Sequence, residues 1–128
     1  MKSLVVAAAT AAAVLIAPIG PANAADVEAG SKVFNKCKAC HSLAAGKNMV
    51  GPSLHGLFGR KAGTADKYNY SKAMKAAGEG GLVWSEKTLH EYLKSPKDFV
   101  KGNKMTFIGI KKDSELDNLT AFLKNATK

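Results

Sequence analysis

A chain of 128 residues has room for one modest domain, and 19 Lys+Arg against 10 Asp+Glu make it strongly basic. The charge is nearly all lysine, spread from Lys32 to Lys128 with Arg60 as the single arginine and no arginine–aromatic interleaving. That pattern argues against nucleic-acid binding and for electrostatic steering onto an acidic protein surface. Two cysteines, Cys37 and Cys40, cannot provide a disulfide framework, so so small a domain gains from a cofactor that adds buried surface.

Met1-Lys2 gives a short positive start, Leu4 to Ala17 is apolar, and Pro18, Gly20 and Pro21 interrupt the run before Ala22-Asn23-Ala24. This is the pattern of a cleavable secretory signal. The run is about 14 residues, where a membrane-spanning helix needs roughly 20. Cleavage after Ala24 divides the chain into a signal, 1–24, and a domain, 25–128.

From Asp26 a helix is expected, with Val27, Gly30, Val33, Phe34 and Cys37 on one face. Ser42 to Tyr70 shows no sustained periodicity and is punctuated by Gly46, Gly51-Pro52, Gly56, Gly59 and Gly63, which predicts turns. Ser71 to Ala77 predicts a short helix stopped by Gly78, and Gly80-Gly81 a joint before Trp84. Ser85 is a good N-cap, with Trp84 and Leu89 placed for a hydrophobic staple, and the helix carrying Leu89, Tyr92 and Leu93 ends before Pro96. Ser95 to Lys112 is a second irregular stretch, which contains Met105 and is long enough to need a functional reason. A last helix starts near Asp113-Ser114, with Asp117 near its positive end, and runs through Leu116, Leu119, Phe122 and Leu123. No segment alternates as a strand does, so the expected class is all-α, with long loops around something that fills the centre.

Cys37-Lys38-Ala39-Cys40-His41 is C-x-x-C-H, the attachment signature of c-type haem. Cysteines at this spacing share a helical face, where both sulfurs reach the vinyl groups along one porphyrin side as thioethers, and His41 lies next to them as proximal ligand. Thioether formation also accounts for both thiols in an oxidising compartment. Other chemistries fit less well. A thioredoxin-like dithiol belongs to a βαβ context, and no strand precedes this helix. Zinc needs about four ligands, and His55 and His90 lack a second cysteine pair or tandem spacing. A Cys37–Cys40 disulfide would close too short a loop to stabilise much.

The sixth iron position separates an electron carrier, ligated on both faces, from an oxygen- or peroxide-binding enzyme with an open site. Met49 lies close behind His41; Met74 sits in a short helical patch that suits core packing but leaves it possible; Met105, on the long loop after Pro96, has the reach to wrap to the far side. Neither Thr106 nor Asn103 suits general acid–base work beside Met105, so an enzyme is not expected.

Together with C-x-x-C-H, the stretches Gly51-Pro-Ser-Leu-His-Gly-Leu-Phe-Gly-Arg60 and Lys104-Met-Thr-Phe-Ile-Gly109 and the closing Leu119 to Lys124 resemble the class I cytochromes c, in a bacterial form close to the mitochondrial type. The resemblance covers the whole domain. It implies an all-α class I fold, with three main helices, short helices and long loops wrapped around one covalent haem c. It implies Met105 as distal ligand, and Pro52 offering its carbonyl to the other ring nitrogen of His41. Arg60, Tyr70 and Trp84 resemble the residues that hydrogen-bond the propionates, and Tyr92 the one beside the axial sulfur. Gly30 and Phe122 resemble the contact where the first and last helices cross. Two positions depart from the mitochondrial pattern: Met74 replaces an asparagine in a slightly longer segment, and Asn103 replaces a threonine at one propionate contact.

The same resemblance implies that Lys36, Lys38, Lys47, Lys97, Lys101, Lys104 and Lys111 ring an exposed haem edge. Acidic redox proteins would dock there: a quinol:cytochrome c oxidoreductase as donor, and a terminal oxidase or photosynthetic reaction centre as acceptor. The expectation is a monomeric periplasmic carrier that meets the membrane only through these complexes.

Overall fold

A computed structural model of the chain describes residues 2–17 and 25–128, and the expected cleavage point after Ala24 lies outside them. Residues 2–17 form no helix or strand and are exposed. Among the described residues, no helix is long and apolar enough to cross a membrane.

The described residues form five helices: α1 (Val27–Phe34), α2 (Lys72–Glu79), α3 (Glu86–Lys94), α4 (Pro96–Phe99) and α5 (Asp113–Ala126). Short polar side chains start most of them. Asp26 accepts from Ala29 N at 3.0 Å before α1, and Ser71 accepts from Met74 N at 3.1 Å before α2. Ser85 caps α3 as expected, and Thr88 completes the reciprocal box by accepting from Ser85 N at 2.8 Å. The Trp84 and Leu89 side chains on either side of that cap are both buried in the core.

The largest helix–helix contact is the crossing of α1 over α5. A Cβ on Gly30 would collide with the Asn118 carbonyl and come within 2.8 Å of Phe122 Cβ, so only glycine lets the helix backbones approach this closely. Beside it, the Phe34 and Phe122 rings lie 5.3 Å apart, and Asp26 N donates to Asn118 Oδ1 at 2.8 Å. Leu116, Leu119 and Leu123 turn the inner face of α5 onto Leu89, Tyr92 and Leu93 of α3 in one apolar core.

The helical class matches the expectation: the only extended pairing among the described residues is an isolated Lys61–Val83 bridge. Three local expectations change. Helix α1 ends at Phe34, and Cys37 lies beyond it on turns closed by Cys37 N→Phe34 O (2.8 Å) and His41 N→Cys37 O (3.0 Å). Gly78 does not stop α2 but lies inside it, because any side chain there would strike the Ala62 carbonyl; Gly80 caps the helix. Pro96 opens a further short helix, α4, since its fixed φ and missing N–H suit a first helical position. Asp117 also has a different role, pairing across helices with His90 Nε2 at 3.3 Å.

Candidate haem site

The core opens into a cavity of about 320 Å³. Its lining includes every site residue expected from the sequence: Cys37, Cys40, His41, Pro52, Arg60, Tyr70, Trp84, Tyr92 and Met105. Met74 and Asn103 line it too, whereas Met49, His55 and His90 do not. The site residues therefore come from four parts of the chain: the turns after α1, the glycine-punctuated loop, α3 with Trp84 just before it, and the segment that follows α4.

His41 is held on two sides. Its Nδ1 lies 2.8 Å from the Pro52 carbonyl oxygen, which can only accept, so Nδ1 carries the proton and Nε2 keeps its lone pair. Burial pushes the imidazole pKa below its ordinary value; the Pro52 bond opposes this and the Arg60 charge adds to it, so the ring stays neutral and able to ligate. Gly51 lies against the ring so closely that a Cβ would overlap it. The sequence shows Gly51-Pro52 as a turn, but nothing in its periodicity reveals that the turn is the imidazole's backing.

Burial raises the Cys37 thiol to about 11, with Lys36 opposing and Cys40 adding slightly. A redox-active dithiol needs the opposite shift, toward thiolate at neutral pH. Among the described residues no group of three or more His, Cys, Asp or Glu is arranged to hold a metal ion.

Farther along the wall, the Tyr92 hydroxyl donates to Met105 Sδ at 3.7 Å. Tyr92 is 6% exposed, and burial raises its pKa far above the ordinary phenol range, with Tyr68 adding to it, so the hydroxyl remains a donor. Tyr70 OH accepts from Ala65 N at 3.0 Å, which leaves its own hydrogen available. Arg60 Nη1 donates to Ser53 O and His55 O, each at 3.1 Å, while Arg60 Nε is buried with no partner. An unsatisfied charged donor beside a cavity is costly unless an anionic group meets it there.

The family model for cytochrome c matches residues 27–127. The chain belongs to the cytochrome c family. It is similar to cytochrome c2 of Afifella marina, 54% identical over 77% of this chain and 80% of that protein, and to cytochrome c-550 of Nitrobacter winogradskyi, 54% identical over 80% of this chain and 93% of that protein. The solved cytochrome c2 of Rhodospirillum Centenum superposes with a TM-score of 0.75 at 36% identity, covering 80% of this chain and 99% of that one. This cytochrome is of the class I bacterial type, a monohaem electron carrier and not an enzyme.

Its cofactor is one haem c attached through Cys37 and Cys40. The residues present suit it. Leu57, Leu89, Leu119 and Leu123 supply apolar wall for a macrocycle, both cysteines line the same cavity, and the unpartnered Arg60 Nε offers a donor suited to a carboxylate.

Proposed function

We propose that this cytochrome is an exported periplasmic shuttle in which residues 1–24 are a cleaved signal and 25–128 the haem domain, with His41 Nε2 and Met105 Sδ as axial ligands. One observation carries the ligation: a single cavity is lined by both attachment cysteines, by a histidine whose Nδ1–H is committed to Pro52, and by a methionine whose sulfur accepts from Tyr92. Bound haem supplies a one-electron couple. His41 and Met105 together would occupy both faces of the iron and leave no open position for a substrate. Arg60, Tyr70 and Trp84 hold the propionates; the spare Arg60 Nε and the undonated Tyr70 hydrogen support the first two assignments.

The proposed electron port is the cavity mouth. Lys36 and Lys104 line the cavity and are exposed, as are Lys38, Lys47, Lys97, Lys101 and Lys111. Val50, which lines the cavity, is 74% exposed, and Ile108, next to the lining residue Phe107, is 83% exposed, which suits the apolar centre of a small, quickly released interface. A monomer with this surface would take electrons from a quinol:cytochrome c oxidoreductase and pass them to a terminal oxidase or a photosynthetic reaction centre.

Rapid-mixing kinetics with purified quinol:cytochrome c oxidoreductase test the proposal. Its second-order reduction rate should fall steeply with added salt and fall again in Lys104→Glu. A rate insensitive to both would remove the lysine-steered shuttle.

A further inference from the structure

Asn103 lines the cavity, yet its side chain is fully engaged with backbone. Nδ2 donates to Pro96 O and to Val100 O, each at 2.8 Å, and Oδ1 accepts from Met105 N at 2.9 Å. Pro96 and Val100 bracket α4 and are both buried, so the two carbonyls form a firm anchorage. The third bond carries that firmness two residues forward to the Met105 backbone, while Tyr92 holds the far end of the same side chain.

Only an amide performs this task in full. Asparagine has two N–H donors and an acceptor oxygen; serine and threonine have a single donor, and an ionised aspartate has none. With both N–H groups on carbonyls, nothing remains to reach a propionate. The departure from threonine at this position is thus an exchange of roles rather than the simple loss of a haem contact.

We infer that Asn103 is a positioning residue for Met105: it fixes the loop backbone so that the sulfur stays on the ferric iron, and thereby sets how often that ligand dissociates. The inference rests on the proposed Met105 ligation. Asn48 provides the control. Its amide also staples a loop, accepting from Ser53 N at 3.0 Å and donating to Asp66 O at 2.9 Å, but it does not line the cavity.

The test uses the ferric holoprotein mixed with saturating imidazole, followed at the weak red absorption band that reports sulfur on ferric haem, where the limiting rate is that of sulfur departure. Asn103→Ala should raise this rate about tenfold, the scale of one net hydrogen bond. Asn103→Ser should fall between it and wild type, because a hydroxyl can still accept from Met105 N in the same local turn. Asn48→Ala should leave the rate unchanged while lowering the unfolding midpoint. A wild-type rate in Asn103→Ala, or an equal acceleration in Asn48→Ala, overturns the positioning role. Wild-type protein without the red band would instead fail the ligation itself, an outcome visible before any variant is mixed.

Discussion

The Tyr92 hydroxyl donates to the Met105 sulfur over 3.7 Å, which ties α3 to the loop that follows α4. With Met105 on the iron as proposed, a hydrogen bond on its sulfur withdraws electron density that would otherwise stabilise the ferric state. Tyr92→Phe keeps the ring between Trp84 at 5.0 Å and Phe99 at 6.2 Å and removes only the donor. The reduction potential should therefore fall by on the order of 30 mV, equivalent to roughly 0.7 kcal/mol. Spectroelectrochemical titration reads this directly, and an unchanged or higher potential would contradict it.

Arg60 contributes charge as well as hydrogen bonds. It lines the haem cavity and holds the loop through Ser53 O and His55 O, so its guanidinium favours the reduced, less positive iron. Arg60→Gln should lower the potential by on the order of 70 mV, the Coulomb effect of one unit charge taken at about 10 Å with an effective dielectric near 20. A potential that rises would mean the charge lies elsewhere relative to the iron.

The α1–α5 crossing sets much of the stability. Gly30→Ala would drive a Cβ into the Asn118 carbonyl, part of a helix backbone that cannot rotate away as a side chain does. The expected loss is at least about 2 kcal/mol, seen as a lower guanidinium midpoint of the holoprotein. A shift no larger than that of an exposed helical substitution would show that the crossing loosens at little cost.

Much of this was legible because the chemistry is local. Cys37, Cys40 and His41 are contiguous, Ser85 announces its helix by cap chemistry, and the leucines of α5 recur with helical period. What stayed hidden depends on distant backbone. Gly78 looks like a helix stop because the Ala62 carbonyl that demands it lies in another segment. α4 is four residues long, with no side-chain cap bond, too short to show periodicity. Asn103 resembles a lost haem contact until its three backbone partners are seen together.

Alkaline stability should carry the mark of Tyr70. Burial raises its pKa above the ordinary 10.0, with the Ala65 N–H and Arg60 opposing and Tyr68 adding slightly. As pH passes that ordinary value, the unfolded phenol ionises while the native one stays protonated, so stability present at neutral pH is lost as pH rises. The drop in unfolding midpoint between neutral pH and about pH 11 should be shallower in Tyr70→Phe than in wild type. Parallel losses in the two proteins would exclude a contribution from Tyr70.

The most direct measurement is the absorption spectrum of the ferric and ferrous holoprotein beside that of Met105→Ala. Axial ligation by His41 and Met105 predicts a c-type α-band on reduction in both proteins, and a weak red sulfur-to-iron band in ferric wild type that disappears in the variant. A ferric wild-type protein without that band, or a variant that keeps it, would contradict Met105 as the sixth ligand.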